Sequence, residues 1–563
     1  MQWTGVIDSV NPTAGKPPGR IERLRRHRRW LLTLAVAVLL VQMAVAMVTT
    51  AVEQTPTIDE PVYVGTAEVY LREHSLRYNP EHPPLGKLII ATGLAFTPVH
   101  LDTASAGDQT ALGRRVLYES GNDPWRLMLR ARLPVIALTL LFGLVVLAFA
   151  RDLVGTVGGV VALALYAFSP DVIAHGSLAT LDVPAAGFVL TSVWLLWRAR
   201  RRPRGYLPAA GAALGAAVAT KMSTLPAVPV LLLLAAWSVW SARRTDDPTP
   251  RVAVRRLALA GAAALAVALV AVAVVWAAYL AVDPRLRWTA REHVPAVHGL
   301  RGLAVDWLPF PEAYRDGMRI QFGFENTTWR GFLLGRQYDG SLWYYLPVAL
   351  LVKTPLGMLA LWLAGAVVMV AVPRLRPAAP YVLVPTAVLL LAAMGGARNF
   401  GVRYALFMPM FLAVAAAGMV LIRRRWAHAV TAALVLFVAA GSLRTYPYYL
   451  PYSNEAFGGP SKTHLRLHDA NVDWGQDLGR LADRLRQRYP GEKIWLVYKG
   501  SGVPSWYGIH ASDPRKAPTN QVRGLLVVSD SSVAKAEGRL AALIDSSEQI
   551  DEVGHSITIY RRT

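Results

Sequence analysis

Residues 30–50 read WLLTLAVAVLLVQMAVAMVTT, and residues 57–87, close behind them, read TIDEPVYVGTAEVYLREHSLRYNPEHPPLGK. The first run carries no charge, and an apolar run of roughly 20 residues matches the hydrocarbon thickness of a bilayer. The second sets Asp59 and Glu60 at the mouth of that helix. It then returns toward the membrane through Glu81-His82-Pro83-Pro84, with Lys87 entering the next apolar stretch. A pair of carboxylates at the edge of a membrane span is costly to place unless a polar cavity receives it. The remainder of the chain reads as a frame that holds this loop over such a cavity.

The chain has 563 residues, 54% of them hydrophobic, and its Leu, Val and Ala residues recur in long blocks. That composition excludes a soluble globular protein and implies a polytopic membrane protein. There is no cysteine, so disulfides and thiolate–metal sites are excluded. A net charge of +22 suggests nucleic acid at first sight, but the arginines cluster between apolar blocks. There they act as orientation signals, and no nucleic-acid partner is expected. The basic residues 20–30 lead directly into a full-length span, which does not fit a cleavable signal peptide.

About eleven transmembrane helices are expected, near 30–50, 131–150, 153–169, 183–199, 206–221, 222–241, 257–280, 345–372, 380–396, 402–422 and 427–446. With a cytoplasmic basic tail over 1–29, nearly every dense arginine cluster falls on one side. These are residues 151–152, 198–204, 243–256, 374–376 and 423–425. The positive-inside rule requires that pattern. The predicted domains are the tail, a membrane catalytic domain over 30–446 with outer loops 51–130 and 281–344, and an extracytoplasmic domain over 447–563. In the last, GQDLGRLADRLRQRYP reads as an amphipathic helix and KIWLVYK, GLLVVSD and SITIY as strands, so a small α/β fold is predicted. The first-loop segment VYVGTAEVYLREH is amphipathic and is expected to lie flat on the membrane.

Asp59, Glu60, Glu81, His82, Lys87, Asp182, Lys221, Lys353 and Arg403 all fall at or near outer span ends on this topology. Snorkelling to the headgroups is the plain alternative for each lysine. A sugar on a lipid phosphate already has a good leaving group, so its transfer needs cations more than an acid. Lys87, Lys221 and Arg403 suit that need, Arg403 through bidentate contact with phosphate oxygens. A hydroxyl acceptor needs a base within hydrogen-bond reach. Asp59 is placed in that role with Glu60 assisting, because neighbours on a helix point about 100° apart and divide tasks. Glu81, His82, Asp182 and Lys353 are further candidates for the substrate site. Asp182 reads equally as an N-cap for the span that follows. Asn471, Asp473, Trp474, Gln476 and Asp477 either grip an acceptor or cap a helix and pack the outer domain onto the membrane portion, with Asp473 fitting the N-cap.

TIDEP followed by HPPLGK resembles the first outer loop of the GT-C superfamily of lipid-carrier-dependent glycosyltransferases, and most of all its protein mannosyltransferase (family 39) and aminoarabinose transferase members. FSPDVIAHGSLATLDVP, GAAVATKMSTLP, FLLGRQYDGSLWYYLPVALLVKTPLG and RNFGVRYALFMP extend the resemblance, as do SNEAFGGP…ANVDWGQDL and VYKGSGVPSWYGI in the tail. It covers most of residues 30–510. The resemblance implies an inverting transfer of mannose or another hexose, at the outer face of the cell membrane, from a polyprenyl-phosphate carrier to a protein, lipid or glycan hydroxyl. It implies an acidic base at Asp59 and a phosphate grip at Lys87, with Lys221 and Arg403 beside it. The sugar-binding repeat of eukaryotic protein mannosyltransferases is absent from the C-terminal region, which weakens the case for a protein acceptor.

Two alternatives stand open at this point. A transporter that moves lipid-linked sugar without chemistry would use the same intramembrane charges, but no internal repeat is visible and the polar residues gather at one surface instead of the midplane. A divalent cation held by Asp59, Glu81 and His82 would assist the transfer, as in some superfamily members. No ligand spacing selects a metal, and none is assigned.

Overall fold

The computed structural model describes residues 20–101, 107–242, 249–290 and 293–563, with side chains from residue 30 onward. The first nineteen residues of the expected tail and half of the 243–256 linker lie outside it. Among the described residues, Trp30–Glu53, Pro124–Val154, Pro250–Val282 and Arg425–Thr445 are long and apolar enough to cross a membrane. Two bent pairs raise the number to six if each is one span. Shorter apolar helices such as Ala227–Ala242 and Ala379–Met394, of 16 residues each, fill between them. At 1.5 Å per residue these reach about 24 Å, which falls short of the hydrocarbon core. The protein is a multi-pass helical membrane protein.

Hydropathy draws 345–372 as a single span, which the structure breaks, and ends the span 153–169 where the structure bends. Thr156–Ala167 meets Pro170–Gly176 at 64°, and Tyr345–Lys353 meets Leu356–Ala371 at 118°. Pro170 and Pro355 sit at the two breaks. Proline donates no backbone hydrogen bond and pushes the preceding residue out of helical geometry. Elsewhere small residues allow close packing. A Cβ on Gly211 would lie 2.8 Å from the Val267 carbonyl oxygen, and one on Gly215 would lie 2.6 Å from that of Ala271. This small-xxx-small stripe lays Pro203–Thr220 directly on Pro250–Val282, and the first of these helices delivers Lys221 at its end.

The loop that follows the first span is itself helical, with Glu60–Glu73, Pro84–Leu94 and Gln109–Arg114. Residues 62–74 do not lie flat on a membrane as expected. Glu60–Glu73 is buried along nearly its whole length from Glu60 to Tyr70, because Pro84–Leu94 and Gln109–Arg114 cover both of its sides. A hairpin of β1 (Arg330–Leu333) and β2 (Arg336–Asp339) follows in the second outer loop.

The C-terminal segment builds a five-stranded sheet from β3 (Ile494–Val497), β4 (Ala511–Ser512), β5 (Gly524–Ser529), β6 (Glu548–Val553) and β7 (Ile557–Arg562), in the order β4-β3-β5-β7-β6. β3 runs parallel to β4 and β5, while β7 is antiparallel to β5 and β6. Alternation along β5 divides the core. Leu525 and Val527 face Leu478, Leu481 and Leu485 of the helix Leu478–Arg488, and Leu526 and Val528 face Leu543 and Trp495. The three strands and the helix expected from sequence are present.

This domain is stitched to the loop that follows the first span. Thr55 N donates to Gln476 O (3.0 Å) and Ile58 N to Trp474 O (3.0 Å). Thr55 Oγ1 donates to Gly475 O (3.0 Å) and accepts from Leu478 N (3.2 Å), and Ser501 Oγ donates to Thr57 O (2.9 Å). The four residues preceding Asp59 are therefore fixed by residues more than four hundred positions away.

Candidate active site

Between the first loop, the helix Asp182–Ala199, the helix Glu312–Glu325 and the 395–407 turn lies a cavity of about 550 Å³. Its polar end is lined by Asp59, His82, Asp182, Lys221, Arg398 and Arg403. Ala185, Val189, Leu389, Leu406 and Phe407 add apolar surface to the lining. Five of the residues expected from sequence therefore meet here, from four separate parts of the chain.

Each is positioned by an identifiable local device. Asp59 occupies the N-cap position of Glu60–Glu73 but makes no cap bond; its Oδ2 instead accepts from Arg403 Nη1 at 2.6 Å. The Arg403 guanidinium lies 4.6 Å from the Trp474 ring centroid and 5.2 Å from that of Tyr404. An aromatic face attracts a cation and, more importantly here, fixes its plane. Asp182 is not the helix cap that sequence allowed, since the cap position belongs to Leu181. Its carboxylate is paired with Lys221 Nζ. Lys221 projects where the backbone turns extended after Thr220, and its ammonium stands 5.4 Å from the Tyr404 ring centroid. His82 packs edge-on against Tyr63 at 5.9 Å, and its Nδ1 finds no partner. Burial first, and then the neighbouring cations led by Lys221 and Lys87, hold its pKa well below the usual histidine value, so the ring is neutral.

Four expected site residues stand elsewhere. Glu60 is fully buried and shares no wall of the cavity. Its Oε1 accepts from Arg132 Nε (2.8 Å) and Ala179 N (2.8 Å), and its Oε2 from Arg132 Nη2 (2.7 Å), Thr57 N (2.9 Å) and Thr57 Oγ1 (3.0 Å). The roughly 100° between neighbours on a helix turns it inward as Asp59 turns outward. Lys87, expected to grip phosphate, donates to Asn79 O (2.7 Å), Asn79 Oδ1 (3.0 Å) and His82 O (2.6 Å). It ties the 79–82 turn, in which Asn79 has a positive φ of 54°. Lys353 donates to Leu450 O (2.5 Å) and Asn471 O (3.0 Å), joining a broken helix to the C-terminal segment. Glu81 accepts from Gln109 Nε2 at 2.7 Å, away from the cavity lining. Among the described residues, no group of three or more His, Asp or Glu is arranged to hold a metal ion.

The outer-domain cluster also differs from its sequence reading. Asp473 does not cap the helix Leu478–Arg488, whose cap position is Asp477. Asp473 is buried, accepts from Gly475 N (3.1 Å) and lies beside Ser531 N (3.4 Å). Asp477 is itself taken up by Arg480 and by Ser556 Oγ (2.6 Å). Three wall residues escape the sequence reading. Gln321 and Glu325 come from an amphipathic helix whose polar stripe reads as solvent-facing. Arg398 donates to Gln321 Oε1 (2.6 Å) and lies 3.5 Å from Glu325. It stands in the RNFGVRY motif beside Arg403, and that nearness was the signal that could have found it.

A family model described as dolichyl-phosphate-mannose-protein mannosyltransferase matches residues 36–285. No curated protein matches the chain. Among solved structures, ArnT from Cupriavidus metallidurans bound to undecaprenyl phosphate is similar at a TM-score of 0.48 and 17% identity, covering 94% of this chain and 97% of that one. The Archaeoglobus fulgidus oligosaccharyltransferase in its apo form gives 0.44 and 12%, over 91% and 73%. The S. cerevisiae protein O-mannosyltransferase Pmt1-Pmt2 complex bound to the sugar donor gives 0.35 and 21%, over 45% and 33%. Residues 36–285, a little under half of the chain, are thus similar to the dolichyl-phosphate-mannose-protein mannosyltransferase family.

Proposed function

We propose that the cavity transfers a sugar from a polyprenyl-phosphate carrier to an acceptor hydroxyl at the outer face of the cell membrane, with inversion at the anomeric carbon. The observation that carries this reading is the cavity's two-sided lining. Cations and carboxylates share one lining with many aliphatic side chains, which suits a phosphate joined to an isoprenoid tail. The family description, with its lipid-phosphate-linked donor, supports it.

In this reading Arg403 and Lys221 hold the donor phosphate and the charge that develops on it as the sugar leaves. Arg403 rests on Asp59, and Lys221 on Asp182, until phosphate oxygens replace those carboxylates. Asp59, released, accepts the proton of the acceptor hydroxyl while that oxygen bonds to the anomeric carbon. The bond from anomeric carbon to phosphate oxygen breaks on the opposite face, and polyprenyl phosphate departs. Lys87 and Glu60 hold the loop in shape and touch neither substrate. The N-terminus lies on the cytoplasmic side and the C-terminal domain outside.

The test is transfer from radiolabelled polyprenyl-phosphate sugars to membrane extract by purified protein in nanodiscs, wild type beside Asp59→Asn. Removing a general base costs about 10²–10⁴ in rate, so label reaches the acceptor with wild type and falls by that factor in the variant. Equal rates would remove Asp59 from the chemistry. Movement of lipid between leaflets without any transfer would replace the enzyme reading by a transporter.

A further inference from the structure

A second concavity lies at the far end of the same two helices that deliver Asp182 and Lys221. Asp182–Ala199 runs from the catalytic cavity to Arg198, and Pro203–Thr220 runs back to Lys221. Eighteen residues at 1.5 Å each separate Asp182 from Arg200, roughly 27 Å, which is about one bilayer core. The concavity there has a volume of about 580 Å³ and, among the described residues, gathers Arg198, Arg200, Arg201, Arg202 and Arg374 around one carboxylate, Asp152.

That carboxylate is already engaged. Its Oδ2 accepts from Trp194 Nε1 at 3.0 Å and stands 3.5 Å from Arg198 Nε. Among the described residues, none of Arg200, Arg201, Arg202 and Arg374 is paired with a carboxylate, and Arg200 Nε is buried without a partner. Two of the arginines are held in place by aromatic faces. Arg200 lies 4.4 Å from the Trp197 centroid, and Arg198 lies 4.8 Å from that of Tyr206. Orientation signals alone call for arginines in a loop, not for two separate loops to converge on one hollow. Arg376 shows the difference, since it turns away to cap the carbonyls of Val370 (2.9 Å) and Ala371 (3.2 Å) while Arg374 lines the hollow.

We infer that this hollow binds the phosphate headgroup of an anionic phospholipid from the leaflet opposite the catalytic cavity. Guanidinium forks match phosphate oxygens in bidentate fashion, and basic hollows between spans suit anionic headgroups. The tryptophans and tyrosine around it set its depth at the membrane interface, where a lipid phosphate resides. The inference does not depend on the reaction proposed for the other cavity.

The experiment is native mass spectrometry of the full-length protein from micelles holding equal amounts of dioleoyl phosphatidylglycerol and dioleoyl phosphatidylcholine. Wild type is expected to retain phosphatidylglycerol with at least tenfold preference. The quadruple variant Arg200→Gln, Arg201→Gln, Arg202→Gln, Arg374→Gln is expected to lose that preference, and the corresponding Arg→Lys variant to keep the charge but only part of the preference. If the quadruple variant does not fold, the exposed pair Arg201→Gln, Arg202→Gln decides, with a loss of several-fold. No preference in wild type, or equal preference in wild type and variants, overturns the inference. So does a preference lost in Lys221→Ala, Arg403→Ala but kept in the quadruple variant, which would put the lipid in the catalytic cavity. Equal thermal stabilisation by inorganic phosphate at matched concentration would make the hollow a free-anion site instead of a lipid site.

Discussion

Replacing Glu60 by Gln separates a catalytic from a structural carboxylate at the position next to the proposed base. Five donors converge on Glu60, two on Oε1 and three on Oε2. An amide must place its NH₂ where one oxygen stood, so it faces either two donors or three. Arg132, fully buried, would keep its charge with no anion to meet it. Breaking one side of a buried pair costs about 3–5 kcal/mol because the other charge is stranded. At about 1.4 kcal/mol per tenfold, hydrogen exchange at the Thr57 and Ala179 amides should accelerate by roughly two to four orders of magnitude. Exchange in β5 and β7 of the outer domain should change far less. Transfer activity per folded molecule should fall with the loosened loop and recover in part when temperature is lowered. A Glu60→Gln protein with unchanged exchange at these amides and no activity would refute the structural assignment and return Glu60 to the chemistry.

Three further outcomes can be measured. Trp474→Ala removes the ring beneath Arg403; a desolvated cation–π contact is worth about 0.5–2 kcal/mol, so donor KM should rise about two- to thirtyfold, with Trp474→Phe between the two. Gly317→Ala places a Cβ at 1.9 Å from the Pro80 carbonyl oxygen, and overpacking of this kind costs about 1–3 kcal/mol. It should displace the helix bearing Gln321 and Glu325 and lower both melting temperature and transfer. In the outer domain, burial raises Asp530 to about 8 and Asp473 to about 7. Both bind their protons more tightly folded than unfolded, so the stability they lend is complete below about pH 4, the ordinary aspartate range, and is lost as pH rises through 7 to 8. Protection of the β5 and β7 amides, relative to their intrinsic exchange rates, should therefore fall from pH 5 to pH 9, and Asp530→Asn should flatten that trend.

Much of the cavity is legible in the sequence for a physical reason: charges at membrane boundaries are costly, so those present tend to converge. Asp59, His82, Asp182, Lys221 and Arg403 can be read that way because each interrupts or ends an apolar run. Glu60, Lys87 and Lys353 meet the same criterion yet serve as internal ties, and nothing local distinguishes them. The partner of Glu60 is Arg132, 72 residues on and inside an apolar segment, and no period or motif links the two. In the C-terminal domain β5 announces itself by a continuous aliphatic run buried on both faces, and β7 by its β-branched and aromatic residues. The edge strand β6, EQIDEV, does not, since an exposed edge tolerates and even favours charge. The break at Thr354-Pro355 is visible as a proline, but hydropathy alone smooths over it, whereas the bend at Ser169-Pro170 falls where the expected span ends.

The hydrogen bonds from Thr55 and Ile58 to residues 474–478 also set an order of events during synthesis. Thr55 and Gly475 are 420 residues apart, and at about 5–20 residues per second roughly 20–80 s pass between the appearance of one and of the other. Throughout that interval the loop bearing Asp59 lacks these backbone partners, and Arg403, once made, still waits for the Trp474 ring. Closing so long a loop is slow and comes late. The cavity is therefore completed only by the last fifth of the chain, and a polypeptide released early carries the spans and the carboxylates without the arrangement that makes them a site.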